Sequence, residues 1–172
     1  MKKGISKIVR LYITAMVLII TGSALVTITV QAEAVPEKIT VPEEIVKISE
    51  ELGKQYGICP EILQAMAWQE SRFQAEAVNE ECTGIMQVSE KWHRERMKRL
   101  SVTNLFDIKE NMTVAADFLS ELISEYGEVE IVLMKYNGDS GAQAVIEGKG
   151  KVSEYAENIL ELSARLERLH GK

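Results

Sequence analysis

Strand signals are nearly absent from this chain. The one hairpin-like pair, Asn137-Gly138, lies between helical patterns, which argues against a β-fold. Neither an internal repeat nor a low-complexity tract is present, so a repeat architecture is excluded. Histidine and cysteine are scarce, at two each. Two cysteines without a nearby pair of histidines do not make a zinc site, and His93 and His170 sit in charged surroundings that suit surface residues. Basic charge is also short: 20 Lys and Arg face 26 Asp and Glu, a net charge of -6. That balance argues against a nucleic-acid partner.

One long uncharged stretch stands out, from Leu11 to Val30. It follows Lys2, Lys3, Lys7 and Arg10 and precedes Gln31-Ala32-Glu33-Ala34, with its small-x-small ending. Residues 1–34 therefore read as an export signal, either cleaved or retained as a membrane anchor, since twenty helical residues cross ~30 Å of hydrocarbon. Leading basic residues stay in the cytoplasm, which places everything after them on the far side of the membrane. The rest of the chain keeps 16 basic against 25 acidic residues. Its local exception, Lys91 to Arg99, is a solvated helix face on the simpler reading and a contact for an anionic polymer on the other.

Beyond a linker over residues 35–41, the patterns are helical throughout, and residues 42–170 read as one all-α domain. Pro42 opens a helix with Ile45, Ile48, Leu52 and Tyr56 inward, which Gly57 ends. Pro60 opens a second, running to about Phe73 with Leu63, Met66 and Ala67 as its buried stripe. Residues 74–88 lose the helical period and suggest a loop or a small strand pair. Ser89 is placed to cap a short basic helix, and Asp107 with Glu110 to form a capping box. The last helix, capped by Ser153, repeats Tyr155, Ile159, Leu162, Leu166 and Leu169 on its inner side. Cys59 and Cys82 both fall in the exported part, where an even count invites a bridge. A Cys59–Cys82 disulfide would add ~3 kcal/mol and tie the second helix to the segment entering Gly84.

Glu70 is the residue with chemical promise. It falls on the buried stripe, three and four places after Ala67 and Met66, where the pattern asks for an apolar group. Desolvation there raises a carboxyl pKa: from ~4.3, where about one molecule in 500 is protonated at neutral pH, toward ~6, where about one in ten is. That is how a general acid is made. The competing reading is a glutamate near a helix end that frays into solvent.

The company Glu70 keeps favours the first reading. Ala65-Met66-Ala67-Trp68-Gln69-Glu70-Ser71 with Phe73, then Gly84-Ile85-Met86-Gln87-Val88, Leu105-Phe106-Asp107 leading to Asn111, Tyr136-Asn137 and Tyr155-Ala156 follow in one order and spacing. From about Pro42 to Leu162 the chain resembles the soluble lytic transglycosylase domain, of the lysozyme superfamily and related to goose-type lysozymes. The resemblance implies a helical lysozyme-like fold with a substrate groove, and Glu70 as its single acid/base. It implies that Ser71 helps position the site and that Gly84, Ile85, Met86 and Gln87 line the groove, with Met86 an apolar wall beside the reacting sugar and Gln87 a polar contact. Tyr136 and Asn137 would lie close to the centre, and the Tyr155 hydroxyl would approach the acid. The family has Ala before its Tyr-Asn pair and Ala-Gly after it, whereas this chain has Lys135 before and Gly138-Asp139 after. The loop past Asn137, and with it the outer sugar subsites, therefore departs from the pattern. Trp68, about 200° of helix rotation from Glu70, belongs to packing on the opposite side.

No second carboxylate is placed by these motifs, which removes the two-acid arrangement of most glycosidases and leaves assistance by the substrate. The resemblance implies cleavage between N-acetylmuramic acid and N-acetylglucosamine in peptidoglycan strands, giving a 1,6-anhydro product with no metal or cofactor. The nearest alternative is a lysozyme-type hydrolase. An inactive wall-binding module within other cell-envelope machinery, or a helical interaction protein, is the alternative from another class.

Overall fold

The computed structural model describes residues 39–172. The expected export segment and the start of the linker lie outside the described residues. Among the described residues, seven helices and three very short strands follow in the order α1 (Glu43–Tyr56), α2 (Pro60–Ser71), β1 (Val78–Asn79), β2 (Cys82–Thr83), β3 (Val88–Ser89), α3 (Glu90–Leu100), α4 (Ile108–Tyr126), α5 (Val129–Tyr136), α6 (Ala142–Ile146) and α7 (Glu154–Leu169). The fold is mainly helical, as the periodicity requires.

Helix α2 is the centre of the domain, packed by α1 and by α7. Its start is set by Pro60 at the first helical position, where the missing N–H costs nothing. Leu63, Ala65, Met66 and Ala67 have no exposed surface, and Glu61 and Gln64 are 1% exposed. Burial therefore extends around the helix well beyond the expected stripe, as happens when neighbours cover several faces. Each large apolar side chain so buried contributes about 1.5–3 kcal/mol. Ile45, Ile48 and Leu52 of α1, Met112, Ala115 and Leu119 of α4, and Ile159, Leu162 and Leu166 of α7 complete the core. Leu169, expected on the inner side of α7, is the last residue of that helix and is 69% exposed. Gly57 ends α1 in the left-handed region, φ 69°, and its N–H closes on the Gly53 carbonyl.

Residues 74–89 form a three-stranded antiparallel sheet rather than a single strand pair. β1 pairs with β2 (Val78 opposite Thr83) and β2 with β3 (Cys82 opposite Ser89). Two expected caps differ in detail. Asp107 accepts from the Glu110 N–H at 2.8 Å, but the Glu110 carboxylate turns to the N–H groups of Thr103 and Asn104 instead of completing a box. Ser89 precedes α3 without capping it: its buried hydroxyl has no hydrogen-bond partner among the described residues.

The basic stretch on α3 is an ion-paired, largely exposed face. Lys91 meets Glu81 at 3.1 Å, Arg94 meets Glu90 at 3.8 Å, Lys98 meets Glu95 at 2.7 Å, and Arg96 and Arg99 share Asp117, with Arg96 also on Glu121. His93 is half-buried rather than fully at the surface. Its ring packs on Phe118 at 4.8 Å and its Nδ1 meets Arg96 at 2.8 Å, and burial, then Arg96, lowers its pKa. The expected disulfide is not formed, and both cysteines are free thiols. Cys59 sits at the N-terminal end of α2, while Cys82 lies within the electrostatic reach of Glu70 at the other end. Twelve helical residues span about 18 Å, far beyond the ~7 Å that a bridge tolerates between Cα atoms.

Candidate active site

Glu70 occupies the last turn of α2. The helix ends one residue later because Arg72 and Phe73 adopt left-handed backbone, φ 57° and 65°. Trp68 turns away from the carboxyl, packing against Phe73 at 5.4 Å and under the Arg72 guanidinium at 4.9 Å, as its rotation on the helix requires. The Glu70 side chain reaches α7, where the Tyr155 hydroxyl donates to Oε1 at 2.5 Å. Burial pushes the Glu70 pKa up to about 7, against the opposing pull of the Tyr155 hydrogen bond, which favours the carboxylate. At neutral pH such a group is divided about evenly between acid and base.

Three further groups lie in the field of that carboxyl. Tyr155 and Tyr136 are pushed well above the ordinary tyrosine range by burial first and by Glu70 next, and the Cys82 thiol is raised in the same order. Tyr136, at the end of α5, donates to the Met86 carbonyl at 3.0 Å and stacks at 5.6 Å on Phe118. Asn137 caps α5 from an exposed position, and its Nδ2 donates to Asp139 Oδ1 at 3.0 Å. Asp139 thus orients the amide within the loop that departs from the family pattern.

The segment 84–87 is held from behind. Gly84 has φ 79°, and a Cβ there would stand 2.2 Å from the Leu105 carbonyl and 2.3 Å from Asn111 Nδ2, so only glycine fits. Ser71 ties the segment to α2: its hydroxyl meets the Ile85 and Ala67 carbonyls at 2.9 and 3.2 Å and accepts from the Gln74 N–H. Ile85 and Met86 are 1% and 0% exposed. Met86 therefore fills the core beneath the segment rather than standing open to solvent, with its N–H bonded to Asn111 and its carbonyl to Tyr136. Gln87 remains part-exposed, with φ 48°, and its Nε2 is held by the Gly84 and Ala77 carbonyls at 2.9 and 3.3 Å.

Asn111, in the sequence only the end of a motif and without a role, supports the segment from α4. Fully buried on α4, it accepts from the Met86 N–H at 2.9 Å and donates to the Thr83 and Leu105 carbonyls at 2.8 Å each. One side chain thereby satisfies two backbone groups of the segment that leads from β2 past Met86 and one, at Leu105, of the connection before α4. Its signal was a polar residue beside the apolar stripe of α4.

Glu70, Tyr136 and Tyr155 are thus brought together, with Ser71, Gly84, Ile85 and Met86 packed beneath them and Gln87 and Asn137 more open to solvent. This is an acid of tuned pKa, able to give and take a proton, beside polar groups on three different elements.

A comparison with curated proteins finds no match. Sixteen solved chains match. One is the lytic transglycosylase Slt of Pseudomonas aeruginosa, solved as an inactive mutant, with a TM-score of 0.65 at 16% identity. The alignment covers 76% of this chain and 25% of that one, so the chain spans about a quarter of the length of the structure it resembles. Residues 47–160 match the Transglycosylase SLT domain family. With most of the described domain inside that match and its helical fold shared, the chain belongs to the Transglycosylase SLT domain family.

Proposed function

We propose that the protein is a peptidoglycan lytic transglycosylase in which Glu70 acts first as acid and then as base. The observation that carries this reading is the buried Glu70 carboxyl, with a pKa of about 7, bound by Tyr155. Protonated, Glu70 gives its proton to the oxygen between N-acetylmuramic acid and N-acetylglucosamine. The muramoyl N-acetyl oxygen supports the electron-poor C1 as the bond breaks. Glu70, now a carboxylate stabilised by Tyr155, takes the proton of the C6 hydroxyl, whose oxygen closes on C1. The product is a 1,6-anhydro sugar, no water is consumed, and Glu70 regains its starting state.

Acid–base assistance of this kind is worth about 10² to 10⁴ in rate when the pKa matches working pH. In the proposed site Gln87, Tyr136, Asn137 and Tyr155 contact the glycan, while Ser71, Gly84, Ile85 and Met86 hold the segment in place. Residues 42–170 are the catalytic domain, and an export signal or anchor over 1–34 delivers it to the wall side of the membrane. The test is to incubate purified cell wall with the protein and with Glu70→Gln, then weigh the released muropeptides. The reading expects anhydro-ended fragments from the first and none from the second.

A further inference from the structure

The far ends of α2 and α7 bring together four metal-ligating side chains that take no part in the site around Glu70. Cys59 Sγ lies 3.1 Å from Glu61 Oε2 and 3.4 Å from Glu167 Oε1, and the donor atoms of the three residues all fall within 4.8 Å of one another. His170 Nδ1 stands 2.8 Å from Glu61 Oε1. Around a tetrahedral zinc ion, bonds of about 2.0 Å to oxygen or nitrogen and about 2.3 Å to sulfur set neighbouring donors roughly 3.3–3.5 Å apart. Cys59 Sγ and its two carboxylate neighbours already have nearly that spacing, and His170 adjoins them through Glu61 Oε1.

Its ligands are also held in place. Cys59 is fixed just before Pro60, and Glu61 is 1% exposed in the first turn of α2. Glu167 and His170, three residues apart at the end of α7, share one face. Ser163 donates to Glu167 Oε1 at 3.4 Å, an outer contact of the kind that orients a ligand. Lys172 competes for the same oxygen: its Nζ meets Glu61 Oε1 at 2.7 Å from a side chain that is 52% exposed and can withdraw into water.

We propose that Cys59, Glu61, Glu167 and His170 bind one divalent transition-metal ion, for which zinc is the best match. Thiolate, imidazole and carboxylate together suit zinc and disfavour magnesium and calcium, which prefer all-oxygen shells. On binding, the Cys59 thiol releases its proton to solvent, the His170 ring gives up its Nδ1 proton and with it the hydrogen bond to Glu61, and Lys172 leaves Glu61 Oε1. A thiolate and two carboxylates then give the metal site a charge of -1, which the nearby ammonium offsets. Glu61 and Glu70 stand nine residues apart on α2, about 13.5 Å along its axis, so the ion does no chemistry at Glu70. It clamps the opposite ends of the two helices that present Glu70 and Tyr155. No ligand spacing revealed this in the sequence, because Cys59 and Glu167 are 108 residues apart.

The full chain, stripped with a chelator, is titrated with Co²⁺ and then Zn²⁺. A thiolate-to-cobalt charge-transfer band that saturates at one equivalent, its loss on adding zinc, and a zinc-dependent rise in Tm are expected. Cys59→Ser should abolish the band. Glu167→Gln, which keeps the thiol and tests the site should the serine variant fail to fold, should lower zinc affinity at least tenfold. Absence of the band in the unsubstituted chain, its survival in Cys59→Ser, or unchanged affinity in Glu167→Gln overturns the proposal.

Discussion

Tyr155 and Glu70, 85 residues apart in sequence, meet where α7 crosses the end of α2, with the phenol donating to the carboxylate at 2.5 Å. The bond opposes the effect of burial on Glu70. Hydrogen bonds to charged groups are worth about 1.5–3 kcal/mol, or about one pKa unit or more. In Tyr155→Phe the Glu70 pKa should therefore rise. Because the free enzyme needs Glu70 protonated, the alkaline limb of its pH–kcat/KM profile should move up by about one unit. A limb that stays in place contradicts the coupling.

Glu70 also costs stability. Its folded pKa of about 7 lies above the unfolded value of 4.5, so the native state binds the extra proton between those limits. Stability should fall as pH rises from about 4.5 to 7 and level off above. Glu70→Gln removes this penalty: at pH 8 it should be more stable than the parent by about 3 kcal/mol, and near pH 4 by almost nothing. Denaturant melts across that range check it, and a difference independent of pH is the contrary result.

Glu61 carries the opposite sign. Burial works to raise its pKa, but hydrogen bonds from His170, Lys172 and Cys59 prevail and hold it at about 2. Its contribution is present above the unfolded value of 4.5 and is lost as pH falls toward 2. Acid unfolding should therefore be shallower in Glu61→Gln between those limits. An unchanged slope in chemical melts contradicts it.

The loop opposite Glu70 should be sensitive to its supports. Asn111→Ala leaves the Met86 N–H and the Thr83 and Leu105 carbonyls unpaired, at a cost of about 3 kcal/mol or more. Gly84→Ala forces a Cβ into the Leu105 carbonyl at positive φ, for a loss of at least about 2 kcal/mol. Chemical denaturation of both variants measures this, and wild-type midpoints are the result against it.

Much of the architecture could be read from periodicity and punctuation. Helices α1, α4 and α7 lie where apolar residues recur every three or four positions, and Gly57 and Gly127 end their helices. Glu70 was legible as an acid on an apolar stripe. What could not be read depends on contacts distant in sequence. The burial of Met86 follows from Asn111 and Tyr136 drawing its backbone inward, and no local period reports that. His93 is covered by Phe118 of another helix. Counting cysteines suggested a bridge, but parity carries no distance, and a helix length separates the two thiols. Alkylation of the chelator-treated chain without reductant should label both cysteines; protection of both would restore the bridge.

The most direct measurement of the central claim is mass spectrometry of muropeptides released from purified wall by the protein and by Glu70→Gln. Glu70 serving as acid and then base predicts 1,6-anhydro ends, one water lighter than a hydrolysed end, and loss of release to below a few percent in the variant. Reducing ends from the parent, or lysis undiminished by the substitution, would contradict it.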